Sequence, residues 1–193
     1  RLLPTLFHGA LLTSEEIHDL KFTLARLNKY TARDSTDRQD IRVHCKNKRY
    51  ACDIEADHFD LAGLDYRFSD RVSAQYQVAK LENIYRQHFL GLVASQPLAV
   101  GSLSADLRLI KSDDIGRARA GDIDHRAFSA MLGYSLGGHK LSAGWQRMYG
   151  ENAMPYLDGS NPYLVNYAQV NDFAAAQERS WQLRYDYDFK ALG

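Results

Sequence analysis

Read at every second position, residues 178–189 (ERSWQLRYDYDF) separate into two lists. Trp181, Leu183, Tyr185, Tyr187 and Phe189 form one; Ser180, Gln182, Arg184, Asp186 and Asp188 form the other. Strand side chains point alternately to opposite faces, so the stretch predicts a ribbon with one apolar and one polar side. The same period recurs along the chain. Leu103, Ala105, Leu107 and Leu109 alternate with Ser102, Ser104, Asp106 and Arg108, and residues 62–68, 72–78, 128–136 and 141–146 repeat the pattern. Residues 20–31 and 86–97 alternate less cleanly, as a bulge would cause. Together these segments predict eight strands of about ten residues each. Helical periodicity is scarce: only 14–20 (SEEIHDL) reads as a helix start, with Ser14 as N-cap.

The links between strands carry a second pattern. Residues 69–71, 98–101 and 137–138 read as tight turns. Residues 32–56, 112–124 and 150–177 are long and polar. Short and long links take turns along the chain, with one exception near 83–85. A transmembrane barrel has this arrangement, with short periplasmic turns and long extracellular loops.

Alternation alone does not say which face is wet. A soluble eight-stranded barrel that binds a ligand points its apolar residues inward; an outer-membrane barrel points them at lipid. Strand length favours lipid, since about ten tilted residues cross a bilayer. So do the aromatics. Phe68, Tyr134, Tyr187 and Phe189 lie beside the predicted short turns, and Trp145, Tyr149 and Trp181 lie beside the long loops. Two girdles suit the two water–lipid boundaries. Asp65, Asp106, Arg108, Arg184 and Asp186 stand on the opposite, polar face. The fold expectation is therefore an all-β, antiparallel transmembrane barrel wall over residues 1–193, with no separate domain.

Composition narrows the field. The chain has 193 residues, 45% hydrophobic and 25% charged, with no net charge. No basic excess points to nucleic acid, and no run approaches the ~18 apolar residues of a membrane helix. The start at Arg1 and the end in FKALG suggest a processed piece or fragment. Cys45 and Cys52 suggest a loop disulfide in an oxidising compartment; two free thiols are the alternative. His44 and His58 beside them raise zinc, but the spacing fits no common structural site. No nucleophile elbow, zinc-protease helix motif or phosphate loop occurs, so neither an enzyme nor a cofactor is expected.

Several stretches resemble the OprD-type substrate-specific porins of Gram-negative outer membranes. They are RLLPTLFHGALLT (1–13), FDLAGLDYRFSD (59–70), LENIYRQHFLGLVASQPL (81–98), RARAGDIDHRAFSAMLGY (117–134) and PYLVNYAQVNDFAAAQERSWQLRYDYDFKALG (162–193). The resemblance implies a barrel of about 18 strands, of which eight would be a central part. It implies passive, selective uptake of small carboxylate-bearing solutes: amino acids, organic and aromatic acids, some antibiotics. The implied surroundings are outer-membrane lipid and lipopolysaccharide, and the full protein could form a loose homotrimer. The two cysteines depart from the family's pattern.

In the family, a row of Arg and Lys on the inner wall faces acidic and carbonyl groups of infolded loops. Arg108 and Arg184 are the leading wall candidates, because their strands alternate cleanly. Arg26 sits in a strand of unresolved parity, and Arg67 ends a strand near the rim. Arg1 opens RLLP, which resembles the constriction loop. Asp172, in the loop before the last strand, is the expected acidic partner. Each could equally be a solvated lumen charge or a local ion pair, and Arg184 and Asp186 could neutralise each other.

Overall fold

The computed structural model describes residues 4–45, 49–167 and 171–189. In chain order its strands are β1 (Leu6–Ser14), β2 (Leu20–Thr31), β3 (Gln39–Arg42), β4 (Glu55–Ala56), β5 (Phe59–Ser69), β6 (Val72–Leu81), β7 (Tyr85–Pro97), β8 (Ser102–Asp114), β9 (Asp124–Leu136), β10 (His139–Tyr149) and β11 (Arg179–Tyr187). All pair antiparallel in one sheet, in the order β11-β10-β9-β8-β7-β6-β5-β2-β3-β4, with β1 on the other edge of β2. β3 and β4 form a short hairpin inside the long 32–58 link. The remaining strands make one continuous meander from β1 through β2 and β5 to β11.

The eight expected strands are all present, and β1 is an addition. Its apolar residues fall on both faces, Phe7 and Leu11 on one and Leu6, Ala10 and Leu12 on the other, so no period of two reveals it. The register slip between His8 and Gly9 leaves Asn28 of β2 unpaired. The helix expected at 14–20 does not form. Ser14 pairs with Phe22 at the end of β1. The chain then reverses through a turn in which Leu20 N donates to Ile17 O at 3.1 Å. A seven-residue helix nucleus makes too few hydrogen bonds to compete with strand pairing. The exception near 83–85 is a tight connection with Asn83 at φ 55°.

Residues opposite each other across strands share a face. Leu107, Ala130, Trp145 and Trp181 lie in register on one face; Asp106, Met131, Gly144 and Gln182 lie in register on the other. The loops identify the inner face. Residues 150–167 and 171–178 and the β3–β4 hairpin fold over the polar side, where Gln146 is 0% and Ser129 1% exposed. The apolar side is uncovered: Trp181 is 80% and Leu183 67% exposed. An uncovered apolar sheet face of this extent marks a membrane or protein contact, and strands of this length with polar residues turned inward match lipid. A ligand-binding cup would have gathered these residues in a dry interior, so the soluble alternative is excluded.

The infolded loops create two cores against the upper inner wall. Ile41, Val43, Tyr50 and Leu157 pack on Leu81, Ile84 and Tyr85. Met154, Tyr156 and Leu164 pack on Phe89, Ile110 and Met148. Burying such a side chain stabilises by about 1.5–3 kcal/mol, which lets long loops hold a fixed shape. Cys45 and Cys52 are joined by a disulfide within the first loop, so both sulfurs are taken.

Candidate functional site

The inner face changes character along the strands. Near the loops it is covered and mixed, with Ile110, Ala127 and Met148 beside the buried polar Ser112, His125 and Gln146; toward the short turns it is polar and open. A cavity of about 670 Å³ marks the transition and brings together Lys21, Asp65, Arg67, Asp106, Arg108 and Tyr163. Arg108 stands opposite Gly91 on β7 and Ser129 on β9. Its Nε and Nη2 donate to the two Asp106 carboxylate oxygens at 2.9 and 2.6 Å. Its Nη1 donates to the carbonyl of Tyr163 at 2.9 Å. One guanidinium thus ties the wall to the tip of loop 150–178. A guanidinium has five N–H donors, so two remain for a solute.

The loop tip is positioned with care. Tyr163 has φ 57°, a conformation that costs of order 1 kcal/mol or more outside glycine. Asn161 Oδ1 accepts from its N–H at 2.8 Å, and its ring lies 5.7 Å from that of Phe89. Below, Gln146 and Gln182 hold the loop by side chains the wall supplies. Gln146 Nε2 donates to the carbonyls of Asp172 and Phe173, and Gln182 Nε2 to that of Val165. Gly144 permits this approach: a Cβ there would stand 2.8 Å from Asn166 Oδ1.

Three of the expected arginines face inward. Arg67 is held by Asp19 at 2.8 Å and Arg108 by Asp106. Arg184 lies outside the cavity, in register with Ser142, and donates to Asp186 at 2.7 and 3.0 Å. Two inward cations were missed. Lys21 pairs in register with Asp65 and reaches Glu15 at 2.8 Å. Lys140 stands opposite Ser135 and Asp186. Parity carried across the sheet from Asp65 and Asp186 would have found both.

Arg26 requires correction. It lies in register with Asp60, which lies in register with Lys80, and all three face outward with Leu24 and Ala62. Arg26 donates to Asp60 at 2.6 and 2.8 Å. It does not line the lumen.

Asp172 also requires correction. It is 1% exposed and accepts from Arg49 Nη1 and Tyr156 Oη, both at 2.7 Å. Burial alone would raise its carboxyl, but these hydrogen bonds win and hold it below the usual range. Asp172 anchors the loop and presents no charge to the channel. Asp158 plays a similar part: burial opposes its ionisation, but His44 and Arg42, at 2.8 and 2.9 Å, hold it low. Arg1 lies outside the described residues.

An apolar outer face, a polar inner face, alternating turns and loops, and infolded loops that narrow the interior define a segment of a transmembrane β-barrel channel. The profile of the outer membrane porin, OprD family, matches residues 1–193, and the chain belongs to that family. It is 32% identical to the porin-like protein GalP of Pseudomonas putida over all of its own length and 46% of the relative. It is 29% identical to Porin D of Pseudomonas aeruginosa, over 45% of that protein. The fold superposes on crystal structures of P. aeruginosa OccK10 (OpdN) at 60% identity and OccK5 (OpdH) at 53%. Both have a TM-score of 0.93, and the whole chain covers 53% and 52% of theirs. The chain therefore spans about half the length of the proteins it matches. Its place is the outer membrane, and its relatives are channels, not enzymes.

Proposed function

We infer that this wall belongs to a passive channel that favours small carboxylate-bearing solutes such as amino acids and organic or aromatic acids. One observation carries the reading: Arg108 spans the wall carboxylate of Asp106 and the loop carbonyl of Tyr163, with Lys21 and Arg67 in the same cavity. Onward from that point, inward cations continue to the short-turn mouth. Lys21, Arg67, Lys140 and Arg184 all stand within three positions of a strand end there. A planar carboxylate can engage the spare donors of a guanidinium and pass to the next cation.

Selectivity requires attraction that is weak enough to release. Asp19, Asp106 and Asp186 each neutralise a neighbouring arginine. A solute charge at about 4 Å then gains roughly 1–4 kcal/mol before that compensation, which concentrates anions without trapping them. The test is flux through the full-length protein reconstituted in lipid vesicles. Arg184→Ala touches no loop and should lower benzoate flux three- to tenfold while glucose flux stays unchanged. Arg108→Gln should lower benzoate flux at least as much. Equal losses for the acid and the sugar in both variants would overturn the reading.

A further inference from the structure

The outer face inverts its polarity along the strands. Toward the short turns it carries Leu103, Leu132, Tyr134, Leu141 and Leu183, all exposed. Among the described residues no Lys or Arg occupies an outward strand position at that end. Toward the long loops, cations face cations. Lys80 stands directly opposite Arg86, Lys111 opposite Arg126, and Arg147 opposite Arg179. Like charges directly across a ladder destabilise the sheet. Internal relief is partial: Asp113 lies 3.3 Å from Lys111, and Asp124 lies 3.9 Å from Arg126. Arg147 stacks its guanidinium 4.8 Å above the Tyr149 ring. Among the described residues no carboxylate forms an ion pair with Arg86, Arg147 or Arg179.

An outward groove of about 590 Å³ runs through this belt. Leu90, Leu109 and Phe128 line it on the membrane side, and His88, Lys111 and Arg126 line it on the loop side. An apolar floor that ends in paired cations complements an amphiphile whose headgroup is anionic. Among the described residues the outward strand cations occur at only one end of the wall, so the complementary lipid belongs to one leaflet, the one on the loop side.

We propose that this groove seats a phosphate-bearing lipid of the outer leaflet, with phosphate on Lys111 and Arg126 and an acyl chain along Leu90, Leu109 and Phe128. Arginine grips phosphate through its fork and lysine through a point charge, and the anion relieves the repulsion between them. The proposal rests on the membrane orientation of the apolar face and is independent of what crosses the lumen.

The test titrates full-length protein in nonionic detergent with bisphosphorylated lipid A and counts bound lipid by native mass spectrometry. Lys111→Gln/Arg126→Gln should weaken binding at least tenfold, and so should removal of the lipid phosphates. The double variant's benzoate and glucose fluxes should match the parent's, which separates this proposal from the channel reading. Unchanged lipid binding by the double variant would overturn the proposal. So would tight binding of phosphate-free lipid, or displacement of the lipid by millimolar inorganic phosphate.

Discussion

Leu107→Arg measures what the outer face touches. Leu107 lies five residues from the start of β8 at Ser102 and seven from its end at Asp114. At about 3.4 Å per residue these spans are roughly 17 and 24 Å along the strand. A tilt of about 45° reduces them to roughly 12 and 17 Å along the barrel axis, so Leu107 sits near the middle of an apolar band ~25 Å tall. Arginine at the midplane of a barrel's lipid face costs about 2–4 kcal/mol. At about 3 kcal/mol the folding equilibrium should fall by about a hundredfold. Leu103→Arg, one residue from the turn end of the same strand, should cost about 0–1 kcal/mol. Ser104→Arg, on the inner face, should show no dependence on bilayer thickness. The assay is reversible denaturant unfolding of full-length protein in phospholipid vesicles. A Leu107→Arg variant within about 0.5 kcal/mol of the parent would refute the orientation, since the midplane cost could not then apply. Equal costs at 103 and 107 would refute it too.

Two further outcomes concern the infolded loop. Asp172→Asn leaves Arg49, whose side chain is 10% exposed, without its counter-charge; breaking such a buried pair costs about 3–5 kcal/mol. Single-channel records should show a larger, noisier conductance with barrel stability in denaturant nearly unchanged; the parent's conductance would contradict the anchoring role. Acid should act on the same contacts with a defined sign. The folded carboxyls of Asp158 and Asp172 titrate below their ordinary value of 3.8, so their stabilisation is complete above about pH 4 and is lost as pH falls through the folded values. Conductance should hold a single level from pH 7 to about 4 and rise below that, and the Asp172→Asn variant should lack the step. A step between pH 5 and 7 would assign loop release to other groups.

The wall was legible because strands of a membrane barrel separate two solvents, and the period of two records that separation residue by residue. Strands β8 to β11 obey it closely: Leu103, Leu132, Leu141 and Trp181 point out, and Ser104, Ser129, Ser142 and Gln182 point in. β1 was illegible because both of its faces carry apolar residues, Phe7 and Leu11 on one and Leu6, Ala10 and Leu12 on the other; the slip beside Gly9 leaves Asn28 of β2 unpaired and shifts parity in β2. The β3–β4 hairpin was illegible for a different reason. Its pairing serves to pack Ile41 and Ala56 into the loop core, a tertiary demand with no period of its own.

The errors at Arg26 and Asp172 share one physical origin. Near the long loops the inner wall stops being wet, because loop residues such as Tyr156 and Leu157 cover it. Several inward positions there become apolar, as Leu27, Phe59, Tyr85 and Ile110 show, and the polar ones such as Gln146 bond to the loop, while charges move to the outer face at Arg26, Lys80, Arg86 and Lys111. A strand that spans both regions carries an alternation that reverses sign midway, and β2 and β7 therefore looked irregular. An acidic residue in an infolding loop meets the same covered environment, so Asp172 pairs internally with Arg49. The loops thus decide the polarity of the wall beneath them. Arg108 sits at the boundary where cover ends, and there the inner face can hold a charge that is both anchored and open to a passing solute.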